Sequence, residues 1–529
     1  MLPFDWSFPY PSQKMPLLAA NAVSTSQPLA AQAGLRMMYA GGNAIDSAIA
    51  TAIALTVVEP VMNGIGGDMF ALVWHEGRLH GINSSGRAPA AWTLDHFAGR
   101  DKMPSVGWDT VTVPGQVAGW KALSARFGKL PFAKLFEPAI EYAEHGFLVS
   151  PQIARQWAAQ APVLRDQPGF AQAFLRDGRA PQAGERWRFP EQAATLRKIA
   201  ESDGASFYKG ELAAKIVEFA ETTGGAIRGD DLAAHEAAWV DPISQDFRGY
   251  TLHEIPPNGQ GIAALIGLGI LDRFDIESMG VDSADFYHVG VEAMKLAFAD
   301  LHRHVSDPAT MQYPPAAFLD PAYLADRAAS IDMRRAGKPS AGMPKTGGTV
   351  YLASADAQGS MVSFIQSNYR GFGSGVVVPG TGISLHNRGE GFNLKPGHAN
   401  CVAPRKQPMH TIIPGFVTRN GAPVMAFGVM GGSMQAQGHV QMMARLAAFR
   451  QNPQAMSDAP RFRVEHGPVV NVEAHLPADV VSVLRERGHH VEVAPRDSLE
   501  FGSAQLIYKA QDGYIAASDS RRDGQAVGF

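Results

Sequence analysis

The chain has 529 residues, 46% of them hydrophobic and 18% charged, which is enough apolar material for two or more ordinary domains or one large layered one and fits a soluble globular protein. A net charge of −4 over that length excludes an electrostatic case for nucleic acid or an anionic membrane surface. The single cysteine, Cys401, excludes an internal disulfide and fits a reducing compartment.

The N-terminal stretch MLPFDWSFPYPSQKMPLLAANAV lacks the basic start, unbroken apolar run and small-residue cleavage site of a secretory signal, so a cytoplasmic location is expected. Residues Gln27 to Ala40 repeat apolar side chains at helical spacing and stop at Gly41-Gly42. Asn43 is placed to cap a second helix that ends ahead of Glu59-Pro60. Its apolar segment, Ala44 to Val58, carries Asp46 and is too short to span a bilayer, so it reads as a buried helix. The glycine-rich NGIGGDMFALVW then leads into a short strand. Helical patterns follow around Lys121, Ile140 and Trp157, and a strongly amphipathic one runs from Tyr287 to His304.

From Thr349 the texture changes to strand-like runs, VSFIQS, PVMAFGVM, VVNVEAHL, HHVEVA, AQLIYKA and GYIAAS, with helical patterns around Gln437 to Arg450 and Ala478 to Arg487. Strands and helices mixed in this order predict sheets covered by helices. The Pro- and Gly-rich segment Lys338 to Gly348 lies on the seam. Beyond it, Thr349-Val350-Tyr351-Leu352 is β-branched and aromatic, and Ala357-Gln358-Gly359 can turn it into a second strand, Ser360 to Ser367. Taken locally, Gly347-Gly348-Thr349 is the turn ahead of a hairpin.

The 17 histidines offer no His-Glu-x-x-His or paired-cysteine spacing, so no metal site is expected. His302 and His304 are two apart on a helix and do not share a face, and His489-His490 open a strand. NGIGGDMF precedes a strand and lacks a following Lys-Ser/Thr, so its glycines read as close backbone packing and not as a phosphate loop. No Gly-x-Ser-x-Gly elbow is present, and Cys401 has no protease-like surroundings. A threonine, however, acts as its own base once it begins a chain, because its α-amino group, with a reference pKa near ~8, takes the hydroxyl proton. Cleavage of Gly348–Thr349 would create that state, and glycine leaves the carbonyl open to attack by the Thr349 hydroxyl.

At this point the sequence resembles the γ-glutamyltranspeptidase family of N-terminal nucleophile hydrolases, almost end to end. The resemblance rests on SQPLAAQAGLRMMYAGGNAIDSAIATAIALTVVEPVMNGIGGDMFAL, DTVTVPGQVAGW, PPNGQG, VEAMKLAFAD, GTVYLASADAQGSMVSFIQS, GFGSG and GVMGGSMQAQGHVQM, in family order. It implies an α+β fold, a four-layer αββα sandwich in one globular unit, with a helical N-terminal part and a strand-rich C-terminal part. It further implies a proenzyme that cuts itself into a large chain, residues 1–348, and a small chain, 349–529, which stay together as a heterodimer and admit a dimer of such heterodimers. Thr349 would attack an amide carbonyl and pass the acyl group to water or an amine, without metal or organic cofactor. Gly431 and Gly432 match the family's oxyanion glycines, and Ser367 falls where better-known members carry a threonine bonded to the nucleophile.

The departures lie in the substrate pocket. Where better-known transpeptidases have an asparagine after the nucleophile strand, this chain has Tyr369, followed by Arg370. Their polar Asn-Asn-x-Met-Asp-Asp-Phe block is HNRGEGF here, with Arg388 and Glu390-Gly391, and their Ser-Ser pair is His410-Thr411. The arginine ahead of their Ala-Pro is shifted to Arg87, and the segment Asn393 to Gln407 is shorter than the region carrying their lid. Arg87, Arg370 and Arg388 are thus expected as cations for a substrate carboxylate, and a shorter lid favours hydrolysis over transfer. The leading expectation is hydrolysis of γ-glutamyl amides such as glutathione. The alternatives are a small-carboxylate amidohydrolase of the oxamate amidohydrolase kind, a cephalosporin or glutaryl acylase, or, from another class, an unprocessed binding protein.

Overall fold

The computed structural model describes residues 13–338, 348–464 and 469–529. Most of the Pro- and Gly-rich seam ahead of Gly348, and the first twelve residues of the N-terminal stretch, lie outside the described residues.

Two antiparallel seven-stranded sheets stack face to face. The first runs Gln525–Gly528, Ala22–Thr25, Gly348–Ala355, Met361–Tyr369, Asp68–His75, Arg78–Ser84 and Ala238–Val240. The second runs Leu17–Ala19, Gly513–Ser518, Ser503–Ala510, Ala422–Met430, Gly415–Arg419, Tyr250–Glu254 and Ile243–Phe247. Each sheet draws strands from both sides of Thr349, while most of the described helices precede that residue and most of the described strands follow it, as expected. Short strands such as Leu17–Ala19 and Ala238–Val240 carry too few residues to show a period of two.

The central strands are apolar on both faces because each face meets a different partner. Phe70, Leu72, Tyr351 and Ile365 point between the sheets, against Ile412, Phe416, Ala426 and Ile507. Met69, Ala71, Val73, Val350, Leu352 and Phe364 point the other way, into a core shared with the helix Ala44–Val58. That helix is buried along its whole length, and it begins as expected, with Asn43 and Asp46 forming a reciprocal capping box. The outer face of the second sheet is covered by Gly261–Leu271, Ala284–His304 and Met434–Ala447. The layers are thus helix, sheet, sheet, helix. At Gly428 the sheets approach so closely that a Cβ would fall 2.4 Å from the Tyr351 ring, so only glycine fits there. Among the described residues no helix is long and apolar enough to cross a membrane.

Candidate active site

Thr349 lies at the start of Gly348–Ala355, at one end of the gap between the sheets, and is 1% exposed. The pairing of this strand with Met361–Tyr369 is interrupted there. Gly348 faces Tyr369 and Val350 faces Gln366, so Ser367 and Asn368 together oppose Thr349. Such a bulge re-aims side chains, and here it brings the hydroxyls of Thr349 and Ser367 together. Thr349 Oγ1 donates to Ser367 Oγ at 3.3 Å, and Ser367 Oγ also accepts the Tyr369 N–H at 2.6 Å. The bulge ends at Tyr369, whose φ of 76° is a left-handed conformation that bulky residues rarely adopt. Backbone strain of this kind is tolerated where surrounding packing fixes it, and it concentrates at functional sites.

The second sheet contributes the opposite wall. The strand Ala422–Met430 turns into the helix Met434–Ala447 through Gly431 and Gly432, with φ of 123° and 62°. Met434 and Gln435, the first residues of the helix, donate their N–H groups back to the Gly431 and Gly432 carbonyl oxygens at 3.1 and 3.2 Å, which closes the turn and leaves the N–H groups of the two glycines at the helix entrance. Gln260 Nε2 ties the turn to the neighbouring loop by donating to the carbonyl oxygens of Gly432, at 2.8 Å, and Thr411, at 2.5 Å. Gln435, in the first helical turn, donates from Nε2 to Thr349 Oγ1 at 3.3 Å.

Beside these groups lies a buried charge cluster centred on Asp68, the residue directly opposite Ser367 on the neighbouring strand. His410 Nε2 is 2.9 Å from Asp68 Oδ2, and Gly86 N donates to Oδ1 at 3.2 Å. His410 Nδ1 accepts the Ile412 N–H at 3.3 Å, so its proton sits on Nε2, toward the carboxylate. That direction rules out a hydroxyl–histidine–aspartate relay through His410. His386 Nδ1 approaches Oδ2 to 3.2 Å, and its Nε2 lies 2.9 Å from the Thr112 carbonyl oxygen. Burial alone would raise the Asp68 carboxyl, but the His386 and His410 rings outweigh it and hold the group far below the usual carboxylate range.

Arg388 completes the cluster. Its Nη1 donates to Thr411 Oγ1 at 2.8 Å, its Cζ lies 4.4 Å from the centre of the Tyr369 ring, and its Nε is 3.7 Å from Asp68 Oδ2. Nε and Nη2 are buried and have no hydrogen-bond partner among the described residues. Burial pulls the guanidinium down to about 10, with Asp68 acting against it, so it stays charged at neutral pH.

The structure thus brings together Thr349, Ser367, Tyr369, Arg388, His410, Thr411, Gly431 and Gly432. The other two expected arginines are already engaged. Arg370 grips both carboxylate oxygens of Glu390. Arg87, with a side chain 54% exposed, pairs with Asp307 at 3.0 Å and with the Arg405 carbonyl. Neither is a spare cation, because each donates hydrogen bonds to an internal acid, whereas Arg388 faces Asp68 without a hydrogen bond to it. Asp68, Gln260, His386 and Gln435 were not singled out from sequence. The acid inside GIGGDMF and the glutamine directly after GGSM were visible signals, masked by readings of close packing and of helix periodicity. Among the described residues no cluster suited to a metal ion is found, and the Arg388 cation beside Asp68 opposes one. His489 is buried against His288 at 2.7 Å.

Comparison with known proteins agrees with this architecture. A sequence model described as gamma-glutamyltranspeptidase matches residues 30–529. A crystal structure of cephalosporin acylase from Bacillus halodurans superposes with a TM-score of 0.96 at 47% identity, covering 100% of this chain and 99% of that one. A glutathione hydrolase-like proenzyme (YwrD) of Bacillus subtilis is 37% identical over 95% of this chain and 97% of its own length. An oxamate amidohydrolase proenzyme of Klebsiella pneumoniae is also 37% identical, over 95% of this chain and 97% of its own. With the family model and full-length relatives in agreement, the chain belongs to the gamma-glutamyltranspeptidase family and has the fold of the N-terminal nucleophile hydrolases.

Proposed function

We propose that the chain is a proenzyme that cuts itself between Gly348 and Thr349 and then hydrolyses an amide whose acyl part carries a carboxylate. The observation that carries this reading is the presence, in one buried cluster linked through Ser367 and Tyr369, of a hydrogen-bonded Thr349 hydroxyl and an Arg388 guanidinium that retains unused donors. Once cleaved, the Thr349 α-amino group accepts the proton from Oγ1 as the oxygen attacks. The Gly431–Gly432 helix entrance faces the carbonyl oxygen as it becomes negative, a stabilisation worth several kcal/mol. Amine leaves, and water releases the acid from the threonine ester.

Arg388 supplies a planar pair of N–H groups for the distal carboxylate. A γ-glutamyl group, as in glutathione, also brings an ammonium, which needs an acceptor. The acids nearest this pocket are committed: Glu390 to Arg370, and Asp68 to His410, Gly86 and the facing Arg388. The geometry therefore favours monoamides of simple dicarboxylic acids, such as oxamate or glutaryl amides, over γ-glutamyl amides. The loop following Phe392 supports hydrolysis, since it is closed on itself by Asn393–Cys401 pairing and by Lys406 donating to the Cys401 carbonyl at 2.9 Å.

Denaturing mass analysis tests the processing step. The expected result is two chains, the second starting at Thr349 with 529 − 348 = 181 residues, and one uncut, inactive chain for Thr349→Ala. An uncut wild-type chain that is folded and inactive would instead favour a binding protein. For the substrate, glutaryl and γ-glutamyl p-nitroanilides are compared at equal concentration, with oxamate assayed by ammonia release. A higher kcat/KM for the γ-glutamyl amide would overturn the dicarboxylate assignment while leaving the nucleophile intact.

A further inference from the structure

We propose that Gln435 is a catalytic residue that acts on the nucleophilic oxygen itself, in self-cleavage and in turnover. This rests on Thr349 as nucleophile, and on nothing about the substrate. Gln435 is fully buried, and both ends of its side-chain amide are used. Oε1 accepts the Ile413 N–H at 2.9 Å, and Nε2 reaches Thr349 Oγ1 at 3.3 Å. A backbone N–H can only donate, so the carbonyl end of the amide must face Ile413 and the NH2 end must face Thr349. The orientation is thereby fixed by the protein backbone.

Two consequences follow for Thr349 Oγ1. One lone pair accepts from Gln435, so the hydroxyl hydrogen is directed to Ser367, as found. The oxygen is also in contact with a donor at the moment it sheds that proton and carries negative charge. The Gly431–Gly432 turn faces a different atom, the carbonyl oxygen of the attacked bond. One helix entrance therefore serves both oxygens of the reaction, with backbone for one and the Gln435 amide for the other.

In self-cleavage Oγ1 bonds to the Gly348 carbonyl carbon and its proton passes toward Ser367. The Gly348–Thr349 C–N bond then breaks, with a proton delivered to the Thr349 nitrogen, leaving an ester. Water hydrolyses that ester to a Gly348 carboxylate and a free Thr349 hydroxyl and amine. Oγ1 is the attacking atom in the first half and the leaving atom in the second, and a donor on it lowers both barriers. The same holds for acylation and deacylation of the mature enzyme.

Two substitutions, Q435E and Q435M, test this role. Q435E keeps an acceptor for Ile413 but presents an acceptor to Thr349, whereas Q435M presents neither. Self-cleavage of freshly purified precursor and turnover of the mature enzyme are followed for both, with Tm as the control for folding. Loss of one such donor predicts a fall of about 100-fold or more in kcat and in the cleavage rate, with KM within about twofold; Q435E also lowers Tm by burying a charge, whereas Q435M introduces none. A purely structural role predicts instead that kcat of the folded variants stays near wild type whatever their Tm, and activity within about threefold of wild type in either soluble variant overturns the proposal. A crystal structure of the mature wild-type enzyme with the Gln435 amide turned away from Thr349 Oγ1 overturns it as well, whatever the variants do. If Thr349→Ala is itself cleaved and active, the underlying reading fails, which is a different result from intact Thr349 chemistry with indifferent Gln435 variants.

Discussion

Arg388 lies over the ring of Tyr369, its Cζ 4.4 Å from the ring centre, with both side chains buried. The ring holds the guanidinium plane by cation–π contact, worth about 2 kcal/mol when desolvated, and Thr411 holds one end of it. The remaining N–H groups are then presented as a rigid fork. Arg388→Lys keeps the charge but replaces the fork by a mobile point charge. The expected outcome is a kcat/KM reduced by about 10- to 100-fold for a glutaryl amide, the loss of one strong charge-assisted contact. Butyryl p-nitroanilide, which has no distal carboxylate, should be affected by less than about threefold. Equal losses on both substrates would remove Arg388 from carboxylate binding.

Ser367 is pinned by the Tyr369 N–H and accepts the Thr349 hydroxyl. Ser367→Ala takes that acceptor away from both donors. Precursor cleavage, followed by denaturing gel over time, should slow by about 100-fold, within the range of a lost proton-transfer group. Ser367→Thr keeps the oxygen and should retain cleavage within several-fold. A cleavage rate unchanged in Ser367→Ala would mean that the Thr349 proton leaves by another route.

The parts of this site legible in sequence are those made by short-range geometry or by whole motifs. Thr349 and Ser367 are 18 residues apart, joined by the hairpin turn that Ala357-Gln358-Gly359 announces, and Gly431-Gly432 stands out as a pair. Asp68 and Gln435 escaped because their partners, His410 and Thr349, are 342 and 86 residues away, beyond any periodic signal. For the arginines, the charge is legible but its neighbour is not. Arg370 and Glu390, 20 residues apart, are equally spaced for a pocket or for an ion pair, and only the folded chain decides for the pair. The strand-like runs and the layered architecture were legible, but which face each central strand turns to the other sheet was not, since strands buried on both faces lose the alternation that would mark it.

The Asp68 cluster makes the fold acid-sensitive. The carboxyl is held well below its usual range by the two histidines against the effect of burial, and burial pulls His410 down to about 3. Both folded-state values lie below the unfolded ones, about 3.9 and about 6.5. Their stabilisation is therefore complete above the unfolded values and is lost as pH falls, from about 6.5 downward for His410 and from about 4 downward for Asp68. The Thr349→Ala precursor, a single uncut chain in this account, should lose denaturant resistance over that range. Adding Asp68→Asn leaves Arg388 facing no counter-charge, which costs about 3–5 kcal/mol at pH 7 for a broken buried pair. It should also abolish the slope below about pH 4. A denaturation midpoint at pH 7 unchanged by Asp68→Asn would contradict the role given to this carboxylate.

Glu59 predicts the opposite pH dependence in the same molecule. It closes the helix Ala44–Val58, is 1% exposed, and accepts the Ser26 hydroxyl at 2.5 Å. Burial pushes its carboxyl up to about 7, against the Ser26 hydrogen bond and the Arg522 charge. Here the folded value lies above the unfolded one, so the neutral acid is the form the fold prefers. Its stabilising effect is full below about pH 4.3, the unfolded value, and is lost as pH rises through about 7. Glu59→Gln keeps the shape and an acceptor for Ser26 without a charge to desolvate. Denaturant titrations of the precursor at pH 5 and pH 8 should therefore differ less in Glu59→Gln than in the parent. The gap should close by at most about 3 kcal/mol, taking ~1.4 kcal/mol per pH unit of displacement, with Arg522 losing a counter-charge as the offsetting cost. Parallel titrations with no change in the pH 5 to pH 8 difference would show that Glu59 is ionised throughout, and that its pairing with Arg522 outweighs its burial.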